Sequence, residues 1–411
     1  MSDLWQHCPL RQLTSLLTDG THYSPQSKSG PFKYLTSRNV RFGHLDLNEF
    51  QTISEEEHDV IYAGCPVKSG DVLLTKDGAN VGNVALNTLS EPFSLLSSVA
   101  VIRGSEGVLS NDYLLQFLMS PLGQSALQDE VAGQAITRVT LTTLKQLRIP
   151  LPPLPEQIEI ARVLTAWDDA IARMSALIAA KTRFKTALMG ELLTGERRFE
   201  EFNGQAWRTY RLGELFTERC EASRPDLPLL SITADRGLIP RGEIERKDSS
   251  NEDKKAYLRI APRDIGYNTM RMWQGVSAVS RLEGIVSPAY TICIPGLLVN
   301  VDFAGYIFKW APLIATFERY SQGMVADTLS LKYHNFARIS VHIPAIDEQR
   351  RIVAVLQALD AEISALNRQL LAFKMQKRAL MQLLLSGEKR VRVAAPGTSS
   401  DDSCSDTEGE S

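Results

Sequence analysis

The chain has 411 residues, 44% of them hydrophobic and 23% charged, which at roughly 150 residues per domain implies two or three globular domains. Its net charge of −3 excludes an evenly basic, polyanion-coated body; the last stretch holds Asp401, Asp402, Asp406, Glu408 and Glu410 without a Lys or Arg, so any basic patch in the near-neutral remainder must be local. Five scattered cysteines (Cys8, Cys65, Cys220, Cys293, Cys404) show no CxxC spacing, the N-terminus lacks a charged leader with an apolar core, and no run reaches 18 apolar residues, so the expected setting is a reducing cytoplasm with no membrane.

In chain order, residues 1–151 open with Trp5, Leu10 and Leu13. Gly70 to Leu74 reads as a strand after an acidic turn, and Gly78-Ala79-Asn80-Val81-Gly82 as a tight turn rather than a nucleotide loop. The alternation in Ser97 to Ile102 predicts another strand. Asn111 to Gln128 predicts one helix with Leu114, Leu115, Leu118 and Leu122 inward. Gln146 to Pro150 predicts a strand that enters the next element.

Residues 152–200 read as a long helix. Pro152, Pro153 and Pro155 mark its start, where proline is tolerated, and Gly195 sits where a left-handed cap ends it. Ile160, Leu164, Trp167, Ile171, Met174, Ile178, Leu188 and Leu192 form an apolar seam, interrupted by Lys181 and Lys185. Glu156 to Thr194 would span about 58 Å at 1.5 Å per residue.

Residues 201–343 repeat the plan of the first domain with different residues. Trp207, Leu212 and Leu215 open it, Arg263 to Tyr267 and Tyr290 to Ile294 read as strands, and Ala337 to Pro344 as the entering strand. Residues 344–392 are a second long helix, with Pro344 before it and Gly387 after it. Its seam is Ile352, Leu356, Leu359, Ile363, Leu366, Leu370, Phe373, Leu380 and Leu384, broken by Lys377. Residues 393–411 form an acidic, Ser-rich tail expected to be disordered.

The two helices are copies. Residues 152–198 align on 344–390 without a gap at an offset of 192, with 19 of 47 pairs identical, among them Glu156/Glu348, Gln157/Gln349, Asp168/Asp360 and Gly195/Gly387. A single heptad stripe would be an ordinary core helix. Two matched stripes predict helices packed on each other, most simply antiparallel, in an α+β protein with two mixed α/β domains.

Catalytic signatures are weak. Ser287-Pro288-Ala289-Tyr290 is one residue short of the motif that holds a flipped base in adenine and cytosine methyltransferases, and a turn into the Tyr290 strand accounts for it. Asp226 with Glu245-Arg246-Lys247 loosely imitates a nuclease metal site, but Arg241 to Lys255 is a charge run that fits a solvated loop. There is no phosphate-loop motif, and the six histidines lack ligand spacing, so no metal and no cofactor are expected on this chain.

These residues together resemble the specificity subunit of type I restriction-modification systems over residues 1–392. The Pro-Glu-Gln helix entry occurs twice in modified form (LPPLPEQ and IPAIDEQ), each helix ends in Leu-Leu-x-Gly-Glu or Leu-Leu-Ser-Gly-Glu-Lys-Arg, and SGDVLLTKDGANVG (69–82), GYNTMRMWQG and GIVSPAY (266–290) look like elements of that family's target recognition domains. The resemblance implies a non-catalytic DNA-binding subunit in which two target recognition domains each read half of a split, asymmetric sequence in double-stranded DNA and the helices set the gap. It further implies two modification (methyltransferase) subunits docked largely on the helices and restriction subunits joining them, with S-adenosylmethionine, ATP and Mg²⁺ held by those partners. The alternatives left open are a coiled-coil protein-interaction adaptor and the recognition part of another DNA-modifying enzyme.

Candidate DNA contacts follow from the side chains that read bases and hold phosphates. In the first domain they are Lys76 and Asn80 in the glycine turn, with Gln134, Thr137 and Arg138 in the loop around Gly133. In the second they are Asn268, Arg271, Trp273 and Gln274, with Arg281 and Lys309 nearby. For each residue, an exposed loop position without a role is the alternative.

Overall fold

A computed structural model describes residues 5–131, 138–233, 236–243, 254–325 and 328–392. Two compact units emerge. One joins the described residues of 1–176 and 368–411, the other residues 177–367. Each unit therefore contains a globular part and one half of each long helix.

The long helices run Leu154–Thr194 and Ile346–Leu385. Both stop at the glycines marked by the sequence, Gly195 at φ +78° and Gly387 at φ +79°, a left-handed conformation that a residue with a Cβ resists. Each glycine also lies against an indole, Gly387 on Trp5 and Gly195 on Trp207.

Within the first unit a four-stranded antiparallel sheet runs in the order Thr14–Asp19, Val99–Gly104, Val72–Thr75, Val84–Leu86. Within the second, the order is Phe216–Glu218, Tyr290–Pro295, Ile265–Asn268, Ser277–Val279. The two sheets have the same topology. A two-stranded ladder precedes the long helix in each unit, His7–Pro9 with Arg148–Pro150 and Arg208–Arg211 with Ser340–Ile343. In both, the strand after the acidic turn is secured by a carboxylate–guanidinium pair: Asp71 takes two bonds of 2.7 Å from Arg103, and Asp264 takes bonds of 2.7 and 3.0 Å from Arg219.

Cores explain where the helices are anchored. Ile160, Leu164, Met381, Leu384 and Leu385 are buried in the first unit with Leu10, Leu13, Val72, Leu74 and Leu114. Leu188, Leu192, Leu193, Ile352, Val353 and Leu356 are buried in the second with Leu212, Leu215, Ile265 and Phe303. Each such side chain contributes about 1.5–3 kcal/mol. Trp167, Ile171, Met174, Ile178, Leu359, Ile363, Leu366, Leu370, Phe373 and Leu380 are only half-buried, because a pair of helices lacks a third layer to cover the seam.

Three expectations are corrected. The helix over Asn111 to Gln128 is two helices, Asn111–Met119 and Pro121–Val131, because Pro121 has no amide hydrogen to continue the first; Ser120 is extended, and its hydroxyl accepts from Gly123 N. Both entering strands begin later than the sequence suggests. Gln146 ends a helix begun at Leu141, Ala337 follows a helical turn over Tyr333–Phe336, and the strands start at Arg148 and Ser340. The lysines in the seam do not spoil the pairing. Lys377 meets Asp168 in the first unit, and Lys185 meets Asp360 and Lys181 meets Glu362 in the second. These pairs run antiparallel in both units. The acidic tail from 393 and residues 244–253 of the charge run lie outside the described residues, and Arg241–Glu243 form a helical turn.

Candidate nucleic-acid interface

Each globular part is anchored to its helix by a buried glutamine. In the first unit Gln157 Nε2 donates to Val108 O and Pro152 O at 2.9 Å each, and its Oε1 accepts from Ser110 N at 2.9 Å. In the second, Gln349 Nε2 donates to Leu298 O at 3.0 Å and Pro344 O at 2.8 Å, and Oε1 accepts from Asn300 N at 2.8 Å. The preceding glutamates are matched too. Glu156 is held in a fork by Arg390 at 2.7 and 2.5 Å, and Glu348 by Arg198 at 2.9 and 2.7 Å. The repeated Glu-Gln thus orients the globular part on the helix in each unit. Its role is structural, which explains why it recurs while the globular sequences diverge.

The first unit brings two of its candidates, Asn80 and Arg138, to one turn. Between Val72–Thr75 and Val84–Leu86 the chain turns through Gly78 at φ +87° and Gly82 at φ +89°, which leaves Asn80 half-buried. Arg138 is exposed and pairs with Asp77 at 2.8 Å, so Arg138 itself lies on that turn. Lys76 is corrected: it is buried at 2% exposure and its ammonium binds Asp19, leaving no face for DNA, because a buried charge requires its partner. Gln134 and Thr137 lie outside the described residues.

Asp77 and Gly78 also form part of the wall of a concavity of about 1220 Å³, built mainly by residues 24–51. Sequence reasoning passed over this segment because it has neither helical nor strand periodicity. Its Ser37-Arg38-Asn39-Val40-Arg41 cluster was the available signal. Arg38, Lys28 and Gln51 stand exposed on the wall without a side-chain partner among the described residues, whereas Arg41 is paired with Asp46 at 3.3 Å. Tyr34 is also on the wall. Its hydroxyl is buried without a hydrogen-bond partner among the described residues, and burial with the neighbouring Tyr23 pushes its pKa up to about 12, so it stays a neutral donor. An unmet buried hydroxyl costs about 1–3 kcal/mol.

In the second unit the candidates Asn268, Arg271, Trp273 and Gln274 share one turn after the strand Ile265–Asn268. Asn268 Oδ1 accepts from Met270 N at 3.0 Å, and Gly275 at φ +75° closes the helical turn Met272–Gln274. Arg271 and Gln274 are exposed, with no side-chain partner among the described residues. Trp273 is half-buried, and its indole N–H donates to Met270 O at 3.0 Å, so it packs the turn. Arg281 is committed to Asp302, and Lys309 is exposed after the helix Val301–Ile307. Ser287 to Tyr290 is a turn, Tyr290 N donating to Ser287 O at 3.0 Å, which leads into the strand as expected. A smaller hollow of about 290 Å³ lies among Glu218, Cys220, Tyr290 and Tyr333; burial raises the Glu218 carboxyl above its ordinary range.

No helix of the described residues is long and apolar enough to cross a membrane, and no group of three His, Cys, Asp or Glu side chains among them is placed to hold a metal ion.

A profile of the type I restriction modification DNA specificity domain matches residues 46–180. Two specificity subunits of Methanocaldococcus jannaschii are similar over nearly the whole chain. That of the type I restriction enzyme MjaVIII is 22% identical, over 88% of this chain and 87% of its own. That of the putative enzyme MjaX is 23% identical, over 95% and 94%. The solved type I restriction-modification S subunit from M. genitalium has the same fold, with a TM-score of 0.57 at 15% identity over 94% of this chain and 97% of its own. A chain solved in work on complex assembly and conformational transition of the type I R-M system gives a TM-score of 0.56 at 18% identity over 94% and 99%. With two copies of one framework, each anchored to a duplicated long helix, the chain is similar in sequence and in fold to the specificity subunits of type I restriction-modification systems.

Proposed function

We propose that this chain reads a split, asymmetric sequence in double-stranded DNA, one half-site per unit, and performs no chemistry itself. One observation carries the reading: two units of identical sheet topology differ in the segments inserted between the first and second strands in chain order, residues 20–71 and 219–264. A shared frame with divergent inserts is what two readers of different sequences require.

The long helices serve as the platform for two modification subunits, joined by restriction subunits. S-adenosylmethionine, ATP and Mg²⁺ act on those partners. The near-neutral charge fits a reader whose partners supply much of the phosphate clamp, since phosphate neutralisation dominates affinity in a complex that binds DNA alone.

The test uses the chain assembled with its modification subunits. Exchanging residues 201–343 for those of a relative should change one half of the methylated sequence and leave the other half intact. Simultaneous change of both halves would defeat the two-reader reading. An assembled complex that binds DNA without negative salt dependence of log K would favour a protein-binding adaptor.

A further inference from the structure

We propose that the concavity of the first unit is the base-reading surface of that unit, with Arg38 directed to guanine and Gln51 to adenine of one half-site. This rests on the reading of the chain as a DNA specificity subunit and assigns the residues that carry it.

The placement comes from the frame. The common sheet and the buried glutamine do the same work in both units, so a difference in the sequence read must reside in what is not common. Residues 24–51 belong to the insert of the first unit and build most of the concavity.

The wall is rigid where it needs to be. Asn39, next to Arg38, is 4% exposed and ties its own loop together. Its Oδ1 accepts from Thr36 N at 3.0 Å, and its Nδ2 donates to Asp46 O at 3.0 Å and Glu49 O at 2.7 Å. The Arg38 backbone is thus held while its guanidinium stays uncommitted, the arrangement that lets a side chain bind without first ordering its loop. Gln51 lies directly opposite Tyr34 in an antiparallel pair, which puts both side chains on one face. The buried Tyr34 hydroxyl has no partner among the described residues, so a polar group that reaches it from the hollow completes it.

Charge separates base reading from phosphate holding. A phosphate clamp would be uniformly basic, whereas this wall sets Lys28, Arg38 and Arg41 beside Asp46, Glu49 and Asp77. Alternating donors and acceptors match base edges. Guanine offers two acceptors to an arginine fork, and adenine an acceptor and a donor to a glutamine amide.

The experiment is methylation mapping and DNA binding by the full chain assembled with its modification subunits, comparing Arg38→Ala, Gln51→Ala and Tyr34→Phe with the unaltered protein. Arg38→Ala and Gln51→Ala should each relax discrimination on the order of ten- to a hundredfold at one position of one half-site, leaving the other half-site and the spacer unchanged. Tyr34→Phe should weaken DNA binding several-fold without lowering the melting temperature. Unaltered specificity in both alanine variants overturns the assignment, and so does a uniform loss across all sequences with an intact melting temperature, which would make Arg38 a phosphate contact. If the unaltered complex shows no split site at all, the specificity-subunit reading itself fails, and the two failures are thereby told apart.

Discussion

Lys377 Nζ lies 2.5 Å from Asp168 Oδ1, and the homologous positions pair the opposite way round in the second unit, where Lys185 meets Asp360. Each of these aspartates also receives a hydrogen bond from its own globular part, Asp168 from Gln116 Nε2 at 3.0 Å and Asp360 from the Tyr306 hydroxyl at 2.7 Å. A charge inside an apolar seam is thereby made to specify register. A slip of the helices would leave Lys377, 7% exposed, without its counter-ion.

Replacing Asp168 by Ala should therefore destabilise the chain by about 1–3 kcal/mol, because the lysine is left buried and unpaired. The double variant Asp168→Leu with Lys377→Leu should recover most of that loss. Chemical denaturation of Asp168→Leu, Lys377→Leu and the double variant measures the coupling; additive losses would remove the register role from the pair.

Gln157→Ala should lower stability by about 2–4 kcal/mol, since Ser110 N–H, Val108 O and Pro152 O all lose their partner in a buried site. The exposed neighbour Ile158→Ala should stay within about 0.5 kcal/mol of the unaltered chain. Equal melting temperatures for the two variants would show that the glutamine does not anchor the globular part.

His58 gives the stability a pH dependence of known sign. It is buried, stacked on Phe32 with ring centroids 3.8 Å apart, and its Nδ1 is 2.9 Å from Ser94 Oγ; burial lowers its pKa below 6.5. The unfolded chain therefore binds the proton more readily, so the contribution of the neutral ring is complete above about pH 6.5 and is lost as pH falls from there towards the depressed folded value. His58→Gln should flatten the stability curve between about pH 5 and 7. Denaturation midpoints across that range provide the check, and an unchanged slope would refute it.

Both long helices pass from one unit to the other, with the division at Ala176/Leu177 and Asn367/Arg368. A seven-residue insertion at each of these points keeps the heptad seam in register and lengthens each helix by about 10 Å. B-DNA rises about 3.4 Å per base pair, so the unread spacer should lengthen by about three base pairs while both half-sites persist. Methylation mapping reads the result. A folded, active complex with its original spacer would show that the helices do not set the gap.

The sequence by itself determined the duplicated helices, their ends and the shared plan of the two globular parts, because these follow from local chemistry. Heptad spacing, prolines that cannot continue a helix and glycines that accept positive φ act over a few residues, and the offset of 192 exposed the duplication. It left Lys377 as a flaw in a seam, since the partner that gives it meaning is 209 residues away. It also proposed Lys76 as a DNA contact, because polarity in a turn does not reveal whether a side chain faces inward; the tertiary structure placed Asp19 beside it. The Arg38, Gln51 and Tyr34 wall was decided only by folding. These residues lie on an irregular segment, and the surface they share is produced by strand pairing and by the buried Asn39, neither of which has a periodic signature in the chain.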